Sequence, residues 1–82
     1  MLDVKIPIFD AVETGENITK LRKQKHLSVR EIQEVFGFET PQAIYKWQHG
    51  SAMPTIENLA ILAAIFEVKV DDILVFHEQQ AA

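Results

Sequence analysis

Ser28-Val29-Arg30-Glu31-Ile32-Gln33-Glu34-Val35-Phe36-Gly37-Phe38-Glu39-Thr40-Pro41-Gln42-Ala43-Ile44-Tyr45-Lys46-Trp47-Gln48-His49-Gly50 is the stretch on which the fold turns. Ser28 followed three residues later by Glu31 is a capping box, in which each side chain bonds the other residue's backbone N–H. The helix it opens carries Ile32, Val35 and Phe36 inward and stops at Gly37, since glycine enters the left-handed conformation at least cost. Phe38 tucks back into the core. Thr40-Pro41 opens a second helix, Thr as cap and Pro at the first helical position, where no N–H is needed. That helix runs to His49 and ends at Gly50. Ile44 and Trp47, three apart, form its buried face, so Gln42, Tyr45, Lys46, Gln48 and His49 flank or oppose it.

Two short helices joined by a tight turn make a helix-turn-helix, whose second helix suits the major groove of duplex DNA. Upstream, Thr14 is a candidate N-cap for a helix to about Lys25, with Glu16 in its first turn and Lys23 and Lys25 in its last, as the helix dipole favours. Ile18 and Leu21 form its inward stripe. Downstream, Thr55 caps a helix with apolar Ile56, Leu59, Ala60, Leu62, Ala63 and Phe66. Apolar on more than one side, this helix belongs at the centre of the core. A fifth short helix covers Val70 to Leu74, with Ile73 and Leu74 inward. Residues 1 to 13 alternate weakly (Val4, Ile6, Ile8) and read as an extended arm, confined by Pro7 to an edge or coil and pinned by Phe9 and Val12. Residues 77 to 82 read as a frayed tail. The expected organisation is a 1–13 arm, a 14–76 helical domain and a 77–82 tail, all-α in class.

Composition narrows the function. With 82 residues the chain is one small domain, and at 48% hydrophobic it can fill a core unaided. It contains no cysteine, so it has neither disulfides nor a thiolate metal site. The start lacks the pattern of a signal peptide, and no apolar run approaches the ~18 residues of a membrane span. A cytoplasmic protein with no membrane partner is expected. Net charge is −4, which alone disfavours nucleic acid. Yet Lys20 to His49, with Lys20, Arg22, Lys23, Lys25, Arg30 and Lys46 against Glu31, Glu34 and Glu39, sums to +3, and the remainder to −7. Positive charge is concentrated where DNA would lie.

An enzyme is not indicated. Ser28 is a cap, His26, His49 and His77 show no metal-binding spacing, and adjacent Asp71 and Asp72 diverge on a helix. No glycine-rich phosphate loop, cofactor or small-molecule effector site is evident.

Leu21-Arg22, Leu27-Ser28, Glu31-Ile32, Gly37, Ile44, Trp47, Gly50, Pro54, Leu59, Leu62-Ala63 and Asp72-Ile73-Leu74 together resemble the phage-repressor and Cro-like helix-turn-helix regulators, the XRE family, over about Ile18 to Leu74. The resemblance implies a five-helix lambda-repressor-like domain that regulates transcription on operator DNA, usually as a homodimer. The sequence departs from that pattern in three places. The turn from Gly37 to Ile44 is one residue longer, Val29 stands where many members carry Gln, and Gln48 stands where a Glu often pairs with the counterpart of Arg22. Carried onto this chain, the base-reading candidates are Gln42 and Lys46, with Pro41 and Ala43 beside them. Backbone candidates are Thr40, Tyr45, Arg30, His49, Arg22 and Lys23. A Gln amide can bond adenine at two points, worth ~1–3 kcal/mol of discrimination, and Lys46 can reach a guanine or a phosphate. The rival expectation is a protein-interaction module, such as an antitoxin-like partner, motivated by the negative net charge, Val29 and Gln48.

Overall fold

The computed structural model describes residues 2–80, the side chain of Gln80 apart. The order is β1 (Lys5–Phe9), α1 (Ala11–Gln24), α2 (Val29–Phe36), α3 (Gln42–His49), α4 (Ile56–Phe66), α5 (Val70–Ile73) and β2 (Phe76–Gln80). Five helices enclose one core of Ile18, Ile32, Ile44, Trp47, Leu59, Leu62, Ala63, Phe66 and Ile73. Each helix contributes at least one of these residues, so no single helix can bury its apolar stripe without the others.

The fold is not purely α. The extended arm pairs with the segment read as a frayed tail, forming an antiparallel ribbon with Lys5 opposite Gln80 and Phe9 opposite Phe76. The two ends lie far apart in sequence, so neither alone signals the pairing. Asp10 starts it, donating its N–H to the Val75 carbonyl at 2.9 Å.

Asp10, not Thr14, caps α1. Its Oδ1 accepts the Glu13 N–H at 2.8 Å, and that bond, followed by His77, holds the Asp10 carboxyl below its ordinary pKa. Glu13 rather than Glu16 then occupies the first turn. Thr14 is fully buried, and its Oγ1 accepts the Val75 N–H at 2.9 Å. Asn17 donates to the carbonyls of Asp72 and Ile73 at 2.7 and 3.0 Å. These bonds fasten the chain's C-terminal segment to α1, and the arm, expected to be pinned by Phe9 and Val12, is held through its pairing with that segment. Val12 is 56% exposed, and Phe9 packs on Phe76 with ring centres 5.5 Å apart.

Several apolar residues expected inside lie outside. Val35 is 62% exposed because the short α2 turns Val29, Ile32 and Phe36 to the core and leaves Val35 to one side. Ile56, in the first turn of α4, is 86% exposed, and Ala60 lies outside as well. Thr55 does cap α4, its Oγ1 accepting the Asn58 N–H at 3.2 Å. Helix α5 ends at Ile73, one residue earlier than expected.

Helices α1 to α4 all close with the same pattern, an N–H bonded to a carbonyl five residues back: Leu27 to Arg22, Phe38 to Gln33, Ser51 to Lys46 and Val68 to Ala63. The motif requires a left-handed residue. Gly37 and Gly50 supply it for α2 and α3, but His26 (φ 56°) and Glu67 (φ 58°) supply it for α1 and α4. A residue with a Cβ pays strain there. Glu67→Gly is therefore expected to raise stability by about 0.5–1 kcal/mol, less the small contribution of the exposed Lys25–Glu67 ion pair at 3.3 Å. A urea melt measures it.

Candidate nucleic-acid interface

The site is built on a clamp between α1, α2 and α3. The Ser28–Glu31 capping box is formed in both directions at 3.0 Å, fixing where α2 begins. The Ser28 amide bond holds the Glu31 carboxyl below its ordinary pKa. Val29, which stands in place of a polar residue, is half-buried against the core. Gln33 bonds the turn, its Nε2 donating to the Phe38 carbonyl at 3.1 Å. Phe38 stacks on Phe36 with ring centres 5.0 Å apart, and both meet Trp47 edge-on at 6.0 and 5.4 Å. Three aromatic rings thus tie the five-residue turn, Gly37 to Pro41, to the buried side of α3.

Helix α3 begins one residue later than expected. Pro41 is its N-cap, its carbonyl accepting the Tyr45 N–H at 3.1 Å, and Thr40 makes no capping bond. A proline carbonyl serves as well as any to start the helix, and this frees the Thr40 hydroxyl. On the inner side Ile44 and Trp47 are 0% and 4% exposed. On the outer side Gln42, Tyr45, Lys46 and His49 are all exposed, at i, i+3, i+4 and i+7. Their side-chain polar atoms, and that of Thr40, make no hydrogen bond or ion pair within the described residues. Pro41 and Ala43 are half-buried, Ala43 against the core, so they shape the face rather than project from it.

The remaining candidates divide. Lys23 is exposed in the last turn of α1. Arg30 is exposed in the first turn of α2 and lies 3.5 Å from Glu34, a solvent-facing pair that holds it only weakly. Arg22 has internal work. Its Nε donates to Gln48 Oε1 at 3.0 Å and its Nη1 to the Leu27 carbonyl at 2.8 Å, joining α1, α3 and the α1–α2 turn. The neutral Gln48 thus takes the place of a carboxylate. Arg22→Ala is expected to cost about 1.5–3 kcal/mol by leaving both acceptors without their charged donor, measured as a shifted urea midpoint. Arg22→Lys recovers little of this, because an ammonium cannot fork to two acceptors in that geometry.

Gly15, which the sequence reading passed over, and Gly50, read there only as the end of the helix, set the angle of α3. A Cβ on Gly15 would lie 2.5 Å from the carbonyl oxygens of Trp47 and Gln48, and one on Gly50 would lie 2.8 Å from the Ala11 carbonyl oxygen. Backbone of α1 therefore touches backbone at the end of α3. The available signal was a glycine inside a helical run, where it costs about 1 kcal/mol against alanine and so calls for a packing reason.

With the geometry in view, likeness to known proteins is informative. A helix-turn-helix family model matches residues 18–73. Among solved structures, the DNA-binding domain of S. venezulae BldD superposes with a TM-score of 0.67 at 24% identity, covering 79% of this chain and 96% of that one. The restriction-modification controller protein C.AhdI from Aeromonas hydrophila gives a TM-score of 0.70 at 20% identity, covering 78% of this chain and 96% of that one. At such identities the likeness establishes the fold. No curated protein matches the chain.

Proposed function

The chain belongs to the phage-repressor and Cro-like (XRE) helix-turn-helix family, and from that premise we propose that it is a sequence-specific transcriptional regulator, acting as a repressor, whose α3 reads the major groove of operator DNA. The observation that carries this reading is the contrast between the two sides of α3. The inner side is sealed by Ile44 and Trp47, and the outer side offers Gln42, Tyr45, Lys46 and His49 with no partner within the described residues. Elsewhere on the scaffold, Arg22, Gln33, Asn17 and Gln48 are tied down. Polar side chains left free on a rigid helix suit a ligand that supplies the missing bonds.

In this reading Gln42 meets base edges and Lys46 spans a base edge and the neighbouring phosphate, with Pro41 and Ala43 fixing how closely the helix start approaches. Thr40, Tyr45, His49, Arg30 and Lys23 meet sugar and phosphate. Arg22 acts through the scaffold. A homodimer presents two copies of α3 about 34 Å apart on one side of the duplex. A DNA-directed role places the protein in the cytoplasm, and no helix among the described residues is long and apolar enough to cross a membrane. No cofactor takes part.

Selection of bound sites from a random DNA pool tests the proposal and should return a short palindrome. On that site Gln42→Ala is expected to lose preference at one base pair per half-site, about 1–3 kcal/mol of discrimination, while binding to unrelated DNA stays unchanged. No enriched site, or identical base preference in the variant, would remove α3 as the reader and leave the protein-interaction module in its place.

A further inference from the structure

The start of α1 and the second strand of the ribbon bring together side chains that no sequence spacing announces. Asp10 caps α1 and Glu13 lies three residues on, so their carboxylates share one side of the helix start. His77, 67 residues from Asp10 in the chain, arrives from β2. Its Nε2 lies 2.9 Å from Asp10 Oδ2 and 3.5 Å from Glu13 Oε2, and the three atoms all fall within 4.8 Å of one another. Among the described residues no other trio of histidine and acid side chains converges in this way.

Bonds outside the trio fix this meeting. Val75, two residues before His77, is held twice: its carbonyl accepts the Asp10 N–H and its N–H donates to Thr14 Oγ1, each at 2.9 Å. His77 itself stands opposite Ile8, two residues before Asp10. The cap bond orients the nearer carboxylate. Asp10 Oδ1 accepts the Glu13 N–H at 2.8 Å, which leaves Oδ2 to face His77. A carboxylate turned by a hydrogen bond at its other oxygen, and an imidazole on a paired strand, make a preformed pair of ligands.

An ordinary ion pair accounts for only part of the arrangement. One N–H on Nε2 points in a single direction and serves Asp10 well, while Glu13 at 3.5 Å is left at the margin of hydrogen-bond distance. Two like charges then share one donor. A divalent ion attracts both carboxylates and the Nε2 lone pair at once. First-row ions hold nitrogen and oxygen at about 2.0–2.2 Å, which puts neighbouring donor atoms roughly 2.9–3.5 Å apart. The two distances from Nε2 fall in that range. The positive end of the α1 dipole, about half a charge, opposes a cation here, but two full carboxylate charges outweigh it. An imidazole beside two carboxylates suits zinc and its neighbours better than calcium or magnesium, which take oxygen alone. The side chains of His77 and Glu13 are 58% and 52% exposed, so water can complete the sphere. We propose that Asp10 Oδ2, Glu13 Oε2 and His77 Nε2 bind one divalent transition-metal ion of the zinc class, which clips β2 to the start of α1. On binding, the Nε2 proton leaves to solvent. None of the three residues belongs to the set assigned to DNA, so this inference and the regulator reading stand or fall separately.

Zinc chloride titrated into the chelator-stripped full chain tests it, followed by calorimetry and by NMR of the histidine rings. The expected result is one ion per chain, with the His77 ring signals shifting and those of His26 and His49 unmoved. Zinc at about 100 times its Kd should raise the melting temperature by about 5 °C or more. His77→Ala, Glu13→Gln and Asp10→Asn should each weaken zinc about tenfold or more. Asn caps a helix as well as Asp, so Asp10→Asn keeps α1 intact, and Glu13→Gln leaves the bond from His77 to Asp10 in place. Should a variant fail to fold, the ring shifts of the unaltered chain decide alone. No binding at millimolar zinc overturns the inference. So do shifts at His26 or His49 in place of His77, and so does unchanged affinity in both carboxamide variants. Equal affinity for magnesium chloride would mark a plain acidic patch and overturn it as well.

Discussion

Gly15→Ala should destabilise the protein by at least about 2 kcal/mol, lowering the melting temperature by roughly 10 °C or more. Two effects oppose each other at this site. Alanine is the better helix former, worth about 1 kcal/mol in the interior of α1. Its methyl group, however, would lie 2.5 Å from two backbone carbonyl oxygens of α3, and backbone cannot swing aside as a long side chain can. Relief requires α1 and α3 to separate, which loosens Ile18, Ile44 and Trp47 at once. The clash therefore outweighs the propensity gain. Gly37→Ala is the control. A Cβ there meets nothing within 4 Å, and only the left-handed φ of 71° opposes it, so its cost should stay near 1 kcal/mol. Thermal and urea melts of the two variants compare them directly. Equal stability of Gly15→Ala and the parent would mean that the helices do not cross backbone to backbone. The variant should also lose DNA affinity, since the tilt of α3 relative to α1 sets where Gln42 and Lys46 point.

The second large effect is on DNA binding. Lys23, Arg30 and Lys46 are the exposed cations assigned to the interface, three per protomer and six per dimer. Each phosphate neutralised contributes a slope of about −0.9 in log affinity against log salt. Six contacts predict a loss of about 10³-fold between 50 and 200 mM salt. The surplus of acid elsewhere on the chain repels the duplex, and salt screens that repulsion too, so the measured slope should be no steeper than this. Lys46→Ala is expected to lower affinity at every salt concentration and to reduce the slope by about 1 per protomer. Fluorescence anisotropy on a labelled site, repeated across a salt series, reads both quantities. A slope near zero would contradict phosphate contact by this face and would favour a protein partner.

Much of the scaffold under the candidate interface was legible in the sequence because its signals are local. The Ser28–Glu31 box, Gly37, Gly50 and the Ile44–Trp47 spacing each act within one or two helical turns, and the structure places α2 and α3 accordingly. The bond from Arg22 to Gln48 follows from family position. Misreadings arose where two signals competed nearby. Asp10 and Thr14 can both cap a helix, and the choice fell to Asp10 because Thr14 is required in the core to receive the Val75 N–H. Thr40 and Pro41 both announce α3, and the turn bonds from Gln33 and the Phe36–Phe38 stack favour the later start. Val35 and Ile56 satisfy the apolar pattern of their helices yet lie outside, since periodicity marks a stripe without saying how wide the neighbouring helices cover it.

By itself the sequence determined five helices, the caps of α2 and α4, the residues that seal α3 from within and the polar set it turns outward, because hydrogen bonding and hydrophobic period act over short spans of chain. Only the tertiary structure decided that the termini pair as a ribbon, that Gly15 is the point where α1 and α3 touch, and that Arg22 also reaches the Leu27 carbonyl. Those three features join groups between 5 and 75 residues apart, and no local pattern encodes which distant groups will meet. That choice belongs to the packing of the whole chain around Ile18, Ile44 and Phe66.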